Sequence, residues 1–199
     1  MAVRAFFRTF AANMKTFEEL GVNESIRRAI EEMGFVQPMP VQEEVIPYLL
    51  GNKNDVIALA QTGTGKTAAF GIPVLQRIAE IPHPQMGVIG RGLPHALILA
   101  PTRELCLQIA DDMRDFAKYL DGIHIEAVYG GASIEQQIRA LRKGVQVIVA
   151  TPGRLIDLMK RGVAQSSIVI GIWRLTIRSA NSSTPFTNCP ISASSTSFR

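Results

Sequence analysis

The stretch that decides the fold is Ala60-Gln61-Thr62-Gly63-Thr64-Gly65-Lys66-Thr67. A strand-like apolar run precedes it at residues 56–60, and a helix-compatible run that contains Pro73 follows it at residues 68–81. Small residues between a strand and a helix let backbone N–H groups converge on an anion, and the helix adds the positive end of its dipole. The pattern is typical of a phosphate loop, with Ala60 in the place of the usual first glycine.

Two side chains of this loop carry chemistry. In a phosphate loop the lysine reaches the β- and γ-phosphates, and the next hydroxyl is a ligand of Mg²⁺. Lys66 and Thr67 are therefore the predicted catalytic residues, and Thr67 is the predicted metal ligand. The pattern does not say which class of NTPase this is, and the alternative is a glycine-rich turn without a ligand. The loop residues predicted to bind nucleotide are Ala60, Gln61, Thr62, Gly63, Thr64, Gly65, Lys66 and Thr67.

Strand and helix patterns alternate around the loop. Short β-rich runs lie at residues 96–100, 123–129 and 145–150. Amphipathic stretches separate them, such as the one with Leu105, Ile109 and Met113 at helical spacing. This alternation predicts an α/β fold, a parallel sheet with helices on both faces.

Composition excludes some classes of protein. The chain has 199 residues and a net charge of +4, but five of its 21 basic residues lie outside residues 14–165, which leaves 16 basic residues against 17 acids there. Overall charge is therefore no sign of nucleic-acid binding. No apolar run is long enough to cross a bilayer, so we expect no membrane partner. Two cysteines in unrelated contexts favour a reducing cytosol and a cytoplasmic protein.

A second motif lies upstream of the loop. Residues 34–42, GFVQPMPVQ, resemble the Q motif of DEAD-box RNA helicases, with Met39 in the place of the commoner threonine. The resemblance implies that Gln42 hydrogen-bonds adenine and that an upstream aromatic, Phe17, stacks near it. An amide suits this task because it donates and accepts at once, which matches the N6 and N7 edge of adenine.

Three further segments resemble motifs of the same family, each directly after a predicted strand. They are Pro101-Thr102-Arg103-Glu104-Leu105 (motif Ia), Gly130-Gly131 (the paired glycines) and Thr151-Pro152-Gly153-Arg154 (motif Ib). Thr102 and Thr151 are also expected to cap the helices that they precede. The resemblance implies a grip on the sugar–phosphate backbone of single-stranded or structured RNA, independent of base sequence. The predicted RNA-binding residues are Pro101, Thr102, Arg103, Gly130, Gly131, Thr151, Pro152, Gly153 and Arg154.

The resemblance covers residues 14–165 and implies an N-terminal RecA-like P-loop NTPase domain of an ATP-dependent RNA helicase, with ATP and Mg²⁺ as cofactors. The family's Asp-Glu-Ala-Asp tetrad is expected about twenty residues after motif Ib, where this chain reads IGIWRL at residues 170–175. Activity in the family also requires a second RecA-like domain. We therefore expect an incomplete C-terminus and a hydrolysis-deficient chain. The alternatives are a lone, non-catalytic module that binds nucleotide or RNA, and another P-loop enzyme such as a small kinase.

The two ends differ from the rest in composition. Residues 1–13 hold two arginines, three phenylalanines and no acid. We expect a disordered extension, with translation beginning at Met14; the alternative is an organelle targeting peptide. Residues 166–199 hold nine of the eleven serines and none of the 17 acids. We expect this tail to be frame-shifted or disordered. In the alternative, residues 167–172 replace the missing strand.

Overall fold

The computed structural model describes residues 15–52, 56–58, 63–81 and 94–163. Within these ranges the chain begins with three helices and continues as alternating strands and helices. The elements are α1 (Glu24–Glu32), α2 (Pro40–Gly51), α3 (Lys66–Ala79), β1 (Ala96–Leu99), α4 (Arg103–Phe116), β2 (Ile125–Val128), α5 (Ile134–Arg142), β3 (Val147–Ala150) and α6 (Pro152–Lys160).

The three strands form one parallel sheet in the order β1-β3-β2. Leu99 and Val128 both align with Ala150, so the strands end at the same level. One face of the sheet packs against α4 in the main apolar core, which also holds the buried residues of α1, α2 and α3. The other face packs against α5 and α6 in a second cluster. The predicted parallel sheet with helices on both faces is confirmed.

Helix starts show where local sequence determines structure. Asn23 caps α1 by accepting a hydrogen bond from the Ile26 N–H, and Thr102 caps α4 by accepting one from the Leu105 N–H. The expectation for Thr151 was wrong, because its side chain makes no cap bond. Its hydroxyl donates to the Val128 carbonyl on β2 at 3.5 Å instead. A neighbouring strand thus competes for the hydroxyl that the local pattern assigns to the helix.

Some predictions fall on residues outside the described ranges. Of the strand expected at residues 56–60, residues 56–58 are described and lie in neither a strand nor a helix. The extension at residues 1–13 and the tail at residues 166–199 lie wholly outside. Within the described part of the chain, no helix combines the length and the apolar character that crossing a bilayer requires.

Candidate functional site

The glycine loop is described from Gly63 onward, so Ala60, Gln61 and Thr62 of the predicted loop lie outside the described residues. Gly63 and Gly65 have positive φ angles of 80° and 70°. This left-handed backbone favours glycine, and it turns the chain into α3, whose N-cap is Gly65 and whose first residue is Lys66. The first-turn N–H groups of a helix have no acceptor within the helix, which makes this end suited to an anion.

Gln42 joins the Q-motif segment to this loop. Its side chain is fully buried; Oε1 accepts the Met39 N–H at 2.9 Å, and Nε2 donates to the Gly65 carbonyl at 3.1 Å. Met39 has no hydroxyl and makes no side-chain cap bond, so the side-chain bond at the start of α2 is the one that Gln42 accepts from the Met39 N–H. A Cβ on Gly65 would lie 2.2 Å from Gln42 Nε2. The amide therefore occupies the space that the missing glycine side chain leaves.

Lys66 and Phe17 have different surroundings. Lys66 is half-buried and lines a small apolar cavity between α2 and α3 together with Val41, Val45 and Phe70. Phe17 is only 6% exposed and packs in the main core. Adenine stacking by Phe17 and the adenine hydrogen bond of Gln42 stay predictions.

Thr67 has an acidic neighbour that the sequence did not single out. Asp112 on α4 hydrogen-bonds the Thr67 side chain, and partial burial raises the pKa of Asp112 despite that bond. Among the described residues no group of three or more His, Cys, Asp or Glu side chains could hold a metal ion. Mg²⁺ needs no such cage when it is bound mainly by phosphate oxygens and water. The Thr67 hydroxyl is chemically suited to be one protein ligand of an Mg²⁺ ion that phosphate and water otherwise coordinate.

The other predicted segments meet at the carboxyl edge of the sheet. Motif Ia follows β1, the paired glycines follow β2, and motif Ib follows β3. Pro101, Thr102, Arg103, Gly130, Gly131, Pro152 and Gly153 are exposed there, whereas Thr151 and Arg154 are half-buried. Because ligands of open α/β sheets bind outside this edge, the exposed backbone and Arg103 form a surface suited to an extended, anionic chain.

Side chains between the motifs tie this edge together. The Arg103 guanidinium lies over the Tyr129 ring, 4.9 Å from its centroid. Arg154 donates hydrogen bonds to the Ala132 carbonyl and to Gln137. Tyr129 and Gln137 match none of the motifs, and no signal in the sequence marks them.

Comparison with known proteins decides the family. Residues 39–171 match DEAD/DEAH box helicase, a stretch that begins in the Q-motif segment and includes the glycine loop and all three edge motifs. The chain belongs to the DEAD/DEAH box helicase family. This DEAD-box chain is 46% identical over 158 residues to the ATP-dependent RNA helicase DeaD of Escherichia coli K12, and 47% identical over 152 residues to that of Buchnera aphidicola from Schizaphis graminum. These matches cover 79% and 76% of the chain, but only 23% and 24% of the relatives.

Solved structures agree with the family. The RNA helicase Prp28 of Chaetomium thermophilum bound to ADP has a TM-score of 0.66 and 41% identity over 78% of this DEAD-box chain and 36% of that chain. A DEAD box protein from Methanococcus jannaschii has a TM-score of 0.65 and 37% identity, over 77% and 39% of the two chains. The resemblance read from the Q motif, the phosphate loop and the edge motifs is therefore confirmed at the level of family and fold.

Proposed function

We propose that this chain is the nucleotide- and RNA-binding N-terminal domain of an ATP-dependent RNA helicase. The observation that carries the proposal is the hydrogen bond from the buried Gln42 amide to the Gly65 carbonyl. It holds the segment assigned to adenine against the loop assigned to phosphate. Names of relatives support the same conclusion, since the DeaD proteins are called ATP-dependent RNA helicases.

In this proposal the domain extends over residues 14–165 and takes ATP with Mg²⁺. Lys66 binds the β- and γ-phosphates, and the start of α3 supplies backbone N–H groups. The metal neutralises charge on the phosphates, and Thr67 supplies one ligand to it. Gln42 holds the loop in shape and selects adenine, with Phe17 beside it. The carboxyl edge binds RNA by its backbone, without regard to base sequence.

Turnover is a separate matter for the 199-residue polypeptide. Its last acidic residue is Asp157, and no Asp-Glu-Ala-Asp occurs in it. Phosphoryl transfer is catalysed almost entirely by positioning and charge stabilisation, and an arginine finger alone contributes about a thousandfold or more. We propose that this polypeptide binds nucleotide and RNA but neither hydrolyses ATP at a useful rate nor unwinds RNA without a second RecA-like domain. We also propose that it acts in the cytoplasm.

Titration with a fluorescent ATP analogue in Mg²⁺ tests the nucleotide site. Lys66→Ala removes a charge-assisted contact, so we expect affinity to fall about 10- to 100-fold. The matched control is Lys143→Ala, an exposed lysine that precedes β3 at the opposite edge of the sheet. Competition by unlabelled ATP but not GTP checks adenine selection. Equal affinity of the wild type and the Lys66 variant would contradict the proposed site.

A further inference from the structure

The Arg154 guanidinium is committed to the protein itself. Both terminal nitrogens donate to the Ala132 carbonyl, Nη1 at 3.2 Å and Nη2 at 3.1 Å. Nη1 also donates to Gln137 Oε1 at 2.9 Å. These bonds use three of the five N–H donors of Arg154, both on Nη1 and one on Nη2, so protein acceptors occupy the fork between the two terminal nitrogens.

Gln137 extends this arrangement to the other end of the same loop. Its side chain is 5% exposed, and Nε2 donates to the Tyr129 carbonyl at 3.1 Å. Arg154 and Gln137 therefore hold the carbonyls on both sides of the exposed pair Gly130-Gly131. We call residues 129–132 the glycine-pair loop. Glycine leaves the backbone of the pair free to rotate, and Gly131 has a φ of +87°, so contacts at both ends of the pair restrict its conformation.

Arg103 makes a different set of contacts. It is exposed, and within the described part of the chain its guanidinium lies against the Tyr129 ring without a hydrogen bond. Stacking on an aromatic face leaves the in-plane N–H donors of an arginine able to bind an anion. The two arginines of the edge motifs therefore make different contacts. Arg103 stacks on the ring of Tyr129 in the glycine-pair loop, whereas Arg154 donates hydrogen bonds to the backbone of that loop and to Gln137.

We propose that Arg154 is a positioning residue, which acts with Gln137 to hold the glycine-pair loop in its binding shape, and that it does not share the RNA-phosphate contact that motif Ia implies for Arg103. This inference rests on the proposed RNA-binding function and assigns different roles to the residues of that site. Arg154 affects RNA binding indirectly, by holding the glycine-pair loop, and the uncharged residue Gln137 has the same role.

The salt dependence of RNA binding separates the two roles. The full chain is titrated with a fluorescent single-stranded oligouridylate at several salt concentrations. Removing one phosphate contact to a single strand flattens the plot of log affinity against log salt by about 0.7. Arg103→Ala is expected to do this. Arg154→Ala and Gln137→Leu are expected to weaken binding by similar factors, roughly 3- to 10-fold, with an unchanged slope.

Two more variants sharpen the design. Arg154→Lys keeps the charge but cannot bridge both acceptors with a planar fork, so it is expected to behave like Arg154→Ala. Arg139→Ala removes an exposed arginine of α5 outside the contacts described above, and it controls for a general loss of positive charge. Three results would each overturn the inference: a flatter salt dependence in Arg154→Ala, wild-type RNA affinity in Arg154→Lys, or wild-type RNA affinity in Gln137→Leu.

Hydrogen exchange of the free protein tests the loop without RNA. The amides of residues 130–133 are expected to exchange faster in Arg154→Ala and Gln137→Leu, and at the wild-type rate in Arg103→Ala and Arg139→Ala. If the wild type binds no RNA at any salt concentration, the proposed function fails, but the exchange rates still decide whether Arg154 positions the loop. Unchanged exchange in Arg154→Ala and Gln137→Leu overturns the inference.

Discussion

The two described halves of the molecule position their candidate sites in different ways. In the sheet half, residues 94–163, three parallel strands in register bring all the predicted RNA-side segments to one edge. In the helical half, residues 15–52 and 63–81, the described elements are helices, and one buried amide, that of Gln42, links the Q-motif segment to the glycine loop. In the sheet half many backbone hydrogen bonds position the segments, whereas in the helical half the contact between the two segments is one side-chain hydrogen bond.

A second buried glutamine in the helical half also bonds one backbone N–H and one backbone carbonyl with its side-chain amide. Gln76 of α3 is buried; its Oε1 accepts the Asn23 N–H at 2.9 Å, and its Nε2 donates to the Gly21 carbonyl at 3.0 Å. It fastens the turn that precedes α1, as Gln42 fastens the glycine loop. The two amides have matched bonding but different neighbours, so they allow stability and nucleotide binding to be measured apart.

The largest effect is expected at the glycine loop. Gly65→Ala puts a Cβ 2.2 Å from Gln42 Nε2 and strains a left-handed backbone, so the amide must leave its site. We expect a loss of stability of about 2–4 kcal/mol and loss of measurable nucleotide binding. Urea unfolding and a fluorescent-nucleotide titration measure the two.

Gly63→Ala is the matched control. It has a similar φ, +80°, but a Cβ added there would have no atom of the described residues within 4 Å. It should therefore show only the backbone strain, about 1–2 kcal/mol. If the two variants lose the same stability, displacing the Gln42 amide has no free-energy cost. The position of the glycine loop would then not depend on that single side chain.

An intermediate effect is expected when either amide is replaced by an apolar side chain of similar size. Gln42→Leu and Gln76→Leu each leave a backbone N–H and a carbonyl without their partner, so we expect each to cost about 1–3 kcal/mol. Nucleotide affinity should fall at least severalfold in Gln42→Leu and stay at the wild-type value in Gln76→Leu. Thermal unfolding and nucleotide titration on the same preparations check this. A fall in both variants would show that affinity follows stability alone.

The smallest effect is expected in the sheet half, at Glu126 of β2. Partial burial raises the pKa of Glu126, although the Arg114 charge opposes this. Because the folded-state pKa lies above the unfolded one, the cost of ionised Glu126 is fully present above the folded pKa and disappears as pH falls below its ordinary value of 4.5.

We therefore expect Glu126→Gln to be slightly more stable than the wild type at pH 7, by less than about 0.5 kcal/mol. The difference should shrink to zero as the solution is acidified below pH 4.5. Urea unfolding over a pH series measures it. A variant that is less stable at pH 7 and equal in acid would show instead that the ionised carboxylate is stabilised where it lies.

The sequence predicted the sheet half well, because strands of β-branched residues followed by helix starts have strong local signals. The expected strands at residues 96–100, 123–129 and 145–150 all exist, with slightly narrower bounds. Thr102 caps its helix, but Thr151 does not, since its hydroxyl meets a carbonyl of β2. The two threonines precede helices in the same way, but only Thr102 caps its helix, because the Thr151 hydroxyl bonds Val128, 23 residues away.

Local chemistry by itself determined the motifs of this protein: a glycine loop that only small residues allow, helix caps set by the next turn, and strand ends that share an edge because parallel strands do. The tertiary structure decided which side chains work on these motifs. Gln42 reaches Gly65 across 23 residues, and Arg154 reaches Ala132 across 22. Asp112 meets Thr67 only because α3 packs against α4. Such partners have no periodic signal, because one hydrogen bond between distant segments depends on how whole elements pack.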